Sequence, residues 1–292
     1  FLKRRNYSPH TVKNYLNTLK HFVVWVKVPV EEVVNRHILQ YIDFLLRKRL
    51  KPKTINCHLI SIRGFYEYLY TEEDIRIPNP VKRGYGLKQS KPLPKHLRDE
   101  AVEKLFAVIK NLRDRAMFKV MLRCGLRVEE VANLALGSLY LKGRLILVNG
   151  KGSKERIVYL SDDACEAMIK YLRSRSPSRV KKIFLVEKGT FKGKPISVRG
   201  IQKRMEYYAR KAGVKASSHQ LRHTMATQLL NADMDLVSIQ DLLGHERIGT
   251  TERYIKVSNL KVMRDYFKAM EVVTKGSGYE VNQTLNNNRE LL

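Results

Sequence analysis

The sequence predicts a mainly α-helical chain in two parts: an all-α bundle first, then an α+β domain that carries a small antiparallel β-sheet. Three observations predict it. Apolar residues recur every three or four positions through most of residues 9–69. Two short strand-like runs, Arg144 to Val148 and the alternating Glu155 to Leu160, flank a glycine-rich turn, Asn149-Gly150-Lys151-Gly152-Ser153. Between the two parts lies a stretch rich in Gly, Lys and Pro, which holds neither period.

The first helix opens on Ser8-Pro9, a capping residue followed by the residue best suited to the first helical position. Val12, Tyr15, Leu16, Leu19 and Phe22 follow at helical spacing. A second helix is expected from about Glu31 to Lys48, with Val33, Val34, Ile38, Ile42 and Leu45 turned inward. Pro52 and Thr54 open a third, carrying Ile55, Leu59, Ile62, Phe65, Tyr66 and Leu69. Pro78 and Pro80 then stop helix formation. These features place an N-terminal helical domain at residues 1–82, a basic extended linker at 83–95 and the second domain at 96–275. In that domain Ala101 to Leu112, Ala116 to Cys124 and Val128 to Leu134 read as helices. Ile183 to Val186 reads as a third strand, and helices are expected at about 162–174, 197–212, 219–231, 235–243, 250–257 and 259–273. Residues 276–292 lack a periodic face and are expected to form a flexible tail. The chain opens on Phe1 rather than Met, which suggests a shortened N-terminus.

Charge narrows the function. The chain has 56 Lys plus Arg against 28 Asp plus Glu, a formal charge of +28. Such an excess repels itself unless a polyanion neutralises it, and nucleic acid rewards many phosphate contacts by releasing counterions. Cys57, Cys124 and Cys165 have the spacing of neither a zinc site nor a disulfide framework, and read as ordinary buried thiols of a reducing cytosol. No run approaches the roughly 18 apolar residues of a membrane span, and no signal peptide is visible. The expected location is the cytoplasm, with no membrane partner.

Four separated segments carry unusual groups: Gly125-Leu126-Arg127-Val128-Glu129-Glu130; Gly150-Lys151-Gly152; His219-Gln220-Leu221-Arg222-His223; and Leu243-Gly244-His245, with Tyr254 nine residues further on. Singly, each has a bland reading. Arg127 and Lys151 serve equally well as surface charges. His219 and Arg222 share a helix face and can form a mere polar edge. His245 can cap a helix, and Tyr254 can be a core aromatic with its hydroxyl satisfied. Together they match what phosphodiester transesterification demands. Cations must stabilise the non-bridging oxygens, and arginine does so bidentately. A nucleophile needs a proton acceptor, and the departing 5′-oxygen needs an acid. This set meets those needs without a metal ion.

The order and wording of the segments resemble the tyrosine recombinase (phage integrase) family, above all its compact Xer-like members. Gly-Leu-Arg, Gly-Lys-Gly, His-x-Leu-Arg-His, Leu-Gly-His and Thr-Thr-x-x-Tyr all stand here in family order. Ser8-Pro9-x-Thr11 and Tyr15 resemble that family's N-terminal core-binding domain, so the likeness spans nearly the whole chain. The resemblance implies that Arg127 and Arg222 clamp the scissile phosphate and that Lys151 is the general acid. It further implies His219 as base or proton shuttle, His245 as hydrogen-bonding stabiliser, Tyr254 as nucleophile and Glu130 as a brace for Arg127 or His219.

The same resemblance implies a C-shaped clamp on double-stranded DNA, with no cofactor. A recombination site with inverted repeats is implied, as is a homotetramer in the synaptic complex formed from free monomers. Whether the outcome is integration, excision, transposon resolution or chromosome-dimer resolution stays open. Lys82, Arg83, Lys88, Arg199, Lys203, Arg204, Ser217 and Ser218 are the candidate DNA contacts. Leu260, Met263, Tyr266, Phe267 and Met270 form an apolar stripe that, in the family, docks into a neighbouring subunit. Two rivals stand beside this reading. A type IB topoisomerase shares the phosphotyrosine chemistry, although the helical first domain and the Xer-like spacing count against it. A non-catalytic DNA-binding regulator predicts binding without covalent adducts.

Overall fold

A computed structural model describes residues 1–89, 95–150 and 155–244. Lys151, His245, Tyr254, the helices expected at 250–257 and 259–273, the apolar stripe from Leu260 to Met270 and the tail at 276–292 lie outside the described residues. The chain divides into two compact units, Phe1–Pro92 and Leu93–Leu292. No helix among the described residues is long and apolar enough to cross a membrane.

The first unit holds three long helices: α1 (Pro9–Val26), α2 (Asn35–Arg47) and α3 (Pro52–Glu72). Ser8 caps α1 through its hydroxyl, which accepts from the Thr11 amide at 3.2 Å. The second helix starts later than its periodicity suggests. Val34 is extended, and residues Val30–Glu32 form a separate 3₁₀ turn. Phe22, Ile38, Tyr41, Leu45, Ile55, Ile62 and Tyr66 make the core. The linker begins tied to this unit. Asn56 pairs with both backbone groups of Leu87, at 2.9 and 2.8 Å, and Arg63 donates to the Lys82 carbonyl at 2.8 Å.

The second unit is built on α5 (Leu112–Arg123), which buries Ala116, Met117, Phe118, Val120, Met121 and Leu122. It packs against α7 (Asp162–Ser174) and α9 (Ser218–Asn231). Before it comes α4 (Asp99–Val108) and after it the short α6 (Val128–Asn133), which lies on α8 (Val198–Lys211). The chain breaks between α4 and α5 because Asn111 caps α5, accepting from the Asp114 amide at 2.9 Å. The last described helix, α10 (Leu236–Leu243), packs on α9 and on β3, and is capped by Asp235.

The sheet is antiparallel, in the order β1 (Leu139–Tyr140), β2 (Leu145–Asn149), β3 (Glu155–Tyr159). Leu147 faces Ile157 across the β2–β3 ladder. Its third member is β1, not Ile183 to Val186 as the sequence suggested. That segment makes a single isolated bridge, Leu185 to Pro195, and its remaining bonds are divided between the backbone of Leu134, Gly193, Lys194 and Ile196 and side chains, with Tyr171 and Arg175 both donating to the Ile183 carbonyl at 3.0 Å. Ile183 and Phe184 are buried, which explains their strand-like composition.

Candidate active site

The site begins where α5 ends. Gly125 adopts φ +62°, and a β-carbon there would come within 3.0 Å of both Leu243 and Met225. Glycine is therefore required both by conformation and by space. This turn delivers Arg127 to the N-terminus of α6. Glu130, three residues on, folds back and accepts from the Arg127 amide at 2.7 Å and from its Nη1 at 2.9 Å. The backbone bond supplies one of the amide partners that the start of a helix otherwise lacks. The side-chain bond fixes where the guanidinium points. Arg127 Nη2 also donates to the Gly244 carbonyl at 3.3 Å, which ties α6 to the end of α10.

Glu130 is buried, yet it serves a second arginine. Arg156 of β3 reaches both of its carboxylate oxygens, Nη1 to Oε1 and Nη2 to Oε2, each at 2.8 Å. Burial alone pushes the Glu130 carboxyl up. The hydrogen bonds and charge of Arg156, joined by those of Arg127, outweigh it and hold the group below the usual carboxylate range. Glu130 is thus an anion set between two cations.

Arg222, on the first turns of α9, is almost wholly buried. Its Nη1 donates to the Gly125 carbonyl, and its Nη2 to the Leu243 carbonyl at 2.5 Å. Both acceptors sit at the C-terminal ends of helices, where backbone carbonyls carry partial negative charge that suits a cation. His219 lies one turn earlier, in the wall of the cavity that Arg127 and Arg222 also line. Its ring stands edge-on to that of His223, with centroids 4.2 Å apart. Desolvation, then the charges of Arg222 and Arg127, push its imidazole below the ordinary histidine range. A histidine so placed is neutral near pH 7 and can accept a proton.

Leu126, Arg127, Val128, Glu129, Ser218, His219 and Arg222 line one cavity of about 260 Å³. The first turn of α9 borders it, capped by Ser217, while the Ser218 hydroxyl is buried with no hydrogen-bond partner among the described residues. Helix N-termini favour anions, so amide dipoles and arginines here attract the same kind of ligand. The structure thus brings Arg127, His219 and Arg222 together, with Glu130 behind them. Of the other predicted contacts, Lys82, Arg83, Lys88, Arg199, Lys203 and Ser217 are exposed. Arg204 has its Nε on the fully buried Asp114 at 2.7 Å and its Nη2 on the Tyr208 hydroxyl at 2.8 Å. Sequence reasoning passed over Arg156. The signal was its alternation with Ile157, which puts it on the same face as Val158. A basic residue on the inward face of a strand needs a carboxylate partner.

Family models match both parts of the chain. One described as the phage integrase family matches residues 95–260, and one described as the phage integrase N-terminal SAM-like domain matches residues 1–75. The chain belongs to the phage integrase family of tyrosine recombinases. This recombinase is 37% identical, over 273 residues, to tyrosine recombinase XerC of Thermodesulfovibrio yellowstonii, with 90% of each chain covered. It is 33% identical to XerC of Staphylococcus haemolyticus, with 91% of this chain and 92% of the relative covered. Among solved structures, XerH site-specific recombinase bound to a palindromic difH substrate is similar with a TM-score of 0.74 and 22% identity, covering 90% of this chain and 80% of that one, and supports the fold. XerA recombinase is 25% identical, with a TM-score of 0.54 and coverage of 92% and 94%. The recombinase is accordingly an enzyme of site-specific DNA strand exchange that works through phosphotyrosine chemistry.

Proposed function

We propose that this recombinase cleaves and rejoins duplex DNA one strand at a time, with Tyr254 as nucleophile and with Arg127 and Arg222 on the scissile phosphate. The observation that carries the assignment is the convergence of Arg127, His219 and Arg222, from distant segments, on one cavity bordered by a helix N-terminus. Tyr254 Oη attacks the phosphorus and the bond from phosphorus to the 5′-oxygen breaks, leaving a 3′-phosphotyrosine. A free tyrosine hydroxyl, with a pKa of about 10, needs help to lose its proton at neutrality. His219 takes that proton, and Lys151 donates one to the departing 5′-oxygen, which leaves as a hydroxyl. The two guanidiniums meet the charge that builds on the non-bridging oxygens, and His245 adds a hydrogen bond there. One phosphoester replaces another, so rejoining is the same step reversed and consumes no nucleotide.

The substrate in this reading is a duplex site with inverted repeats, engaged by a tetramer that assembles from monomers beside the nucleoid. The exposed Lys82, Arg83, Lys88, Arg199 and Lys203 supply phosphate contacts that position the duplex without reading its sequence. The test is a nicked suicide duplex built on the sequence that the protein selects from a random library. The wild-type chain is expected to give a denaturant-resistant protein–DNA band, and Tyr254→Phe to give none. Binding without a covalent band in the wild type overturns the assignment.

A further inference from the structure

We infer that Arg156 is a positioning residue for strand cleavage: through Glu130 it fixes the guanidinium of Arg127, and it ties β3 to the end of α10. Four observations carry this. Arg156 meets Glu130 with two parallel hydrogen bonds, the geometry in which an arginine fork defines direction as well as distance. Glu130 is the residue that holds Arg127 by both its amide and its Nη1. The third Arg156 nitrogen, Nε, donates to the Leu242 carbonyl at 2.8 Å, two residues before the glycine whose carbonyl Arg127 also takes. Finally, Gly244 lies against Arg156: with φ +60°, a β-carbon there would come within 3.0 Å of the Arg156 Cδ.

One side chain thus links the Gly-Leu-Arg segment to the backbone that leads into Leu-Gly-His. It rises from β3, next in sequence to the segment bearing Lys151. It grips the acid of the Gly-Leu-Arg segment, and it holds the backbone that leads into Leu-Gly-His. A residue kept only for stability gains nothing from converging on these segments. A buried ion pair is a poor source of net stability, because desolvation offsets much of its attraction. Its value here lies in geometry, since a reacting group displaced by about 1 Å can lose about 100-fold in rate. Arg156 touches neither nucleophile nor phosphate in this scheme and acts through Arg127.

This inference rests on the cleavage reading above, so the wild-type chain is the reference for both. The probe is the same library-selected nicked duplex at saturating concentration, read as the rate of covalent adduct formation, with binding measured separately. Arg156→Lys keeps the charge and loses the fork. It is expected to lower the adduct rate about 100-fold while duplex affinity stays near that of the wild type. Added to Arg127→Lys, it is expected to cause little further loss, since it acts through the same guanidinium. If Arg156→Lys has no cooperative thermal transition, Glu130→Gln, with its near-identical shape, carries the same two expectations. A wild-type adduct rate in the folded variant, or losses that multiply with those of Arg127→Lys, overturns the positioning role and leaves the cleavage reading intact. A wild-type chain that forms no adduct overturns the cleavage reading, and this inference falls with it.

Discussion

Glu130 holds Arg127 twice over, with one carboxylate oxygen on the backbone amide at 2.7 Å and the other on Nη1 at 2.9 Å. The pairing makes the start of a six-residue helix into a mount for a cation. So short a helix has little stability of its own, because nucleation costs more than a few hydrogen bonds return. The mount is stiff because Arg156 anchors the other side of the same carboxylate.

Removing that carboxylate tests the stiffness. Glu130→Ala leaves Arg156, whose side chain is 11% exposed, without its counter-charge in a low-dielectric setting. Breaking a buried pair by deleting one partner costs about 3–5 kcal/mol. Urea denaturation is expected to show a loss of that order, where an exposed ion pair would lose under about 1 kcal/mol. An unchanged midpoint means that water reaches the pair freely.

The two clamp arginines are expected to separate by their effect on stability. The Arg127 side chain is 38% exposed, whereas Arg222 is 2% exposed and satisfies the carbonyls of Gly125 and Leu243. Each alanine variant should lose about 100- to 1000-fold in the rate of adduct formation, the scale for one lost transition-state donor. Arg222→Ala should also lower the melting temperature, since it strands two buried acceptors, and Arg127→Ala should lower it much less. Equal melting temperatures for the two variants would contradict the burial argument.

Gly125→Ala addresses the turn between them. The left-handed backbone at φ +62° costs an alanine about 1–2 kcal/mol. The new methyl also has to displace Leu243 or Met225, each 3.0 Å away. Because the Gly125 carbonyl accepts from Arg222, the substitution moves an active-site cation as well as a turn. The expected result is a lower melting temperature together with a cleavage rate that falls beyond what the unfolded fraction explains. A slower rate fully accounted for by unfolding would disconnect the turn from the chemistry.

How much of this was legible in advance depended on the kind of force at work. Helices with one apolar face declared themselves: α7 spans Asp162–Ser174 and α10 Leu236–Leu243, close to where periodicity put them. Ile183 and Phe184 misled, because burial selects the same residues whether the backbone is paired in a continuous ladder or by scattered bonds to Leu134, Ile196 and the side chains of Tyr171 and Arg175. Arg127, His219 and Arg222 stood out through motifs, and they meet around one cavity. Arg156 did not stand out. Its neighbours Ile157 and Tyr159 are the exposed ones, 48% and 62%, so the strand turns those two outward and Arg156 inward with Val158. Alternation places it on the Val158 face, but the position of Glu130 in three dimensions shows which carboxylate it meets.

The imidazole of His219 gives the last prediction, and its sign follows from its surroundings. Desolvation, then the charges of Arg222 and Arg127, disfavour its protonated form, so its folded pKa lies below the ordinary value of 6.5. As pH falls through about 6.5, the unfolded chain takes up this proton before the folded chain does. This group therefore subtracts from stability on the acid side, and the loss levels off once pH passes below the folded value. Catalysis has the matching dependence. A neutral imidazole persists below pH 6.5 in the folded chain, so the acid limb of the cleavage rate should lie beneath that value. An NMR titration reads the group directly. The histidine resonance that vanishes in His219→Gln is expected to titrate below 6.5 in the wild type, and to move upward in Arg127→Gln, where one repelling charge is gone. A midpoint at or above 6.5, unmoved by Arg127→Gln, would remove His219 from the field of the arginines and end its candidacy as the group that takes the proton of Tyr254.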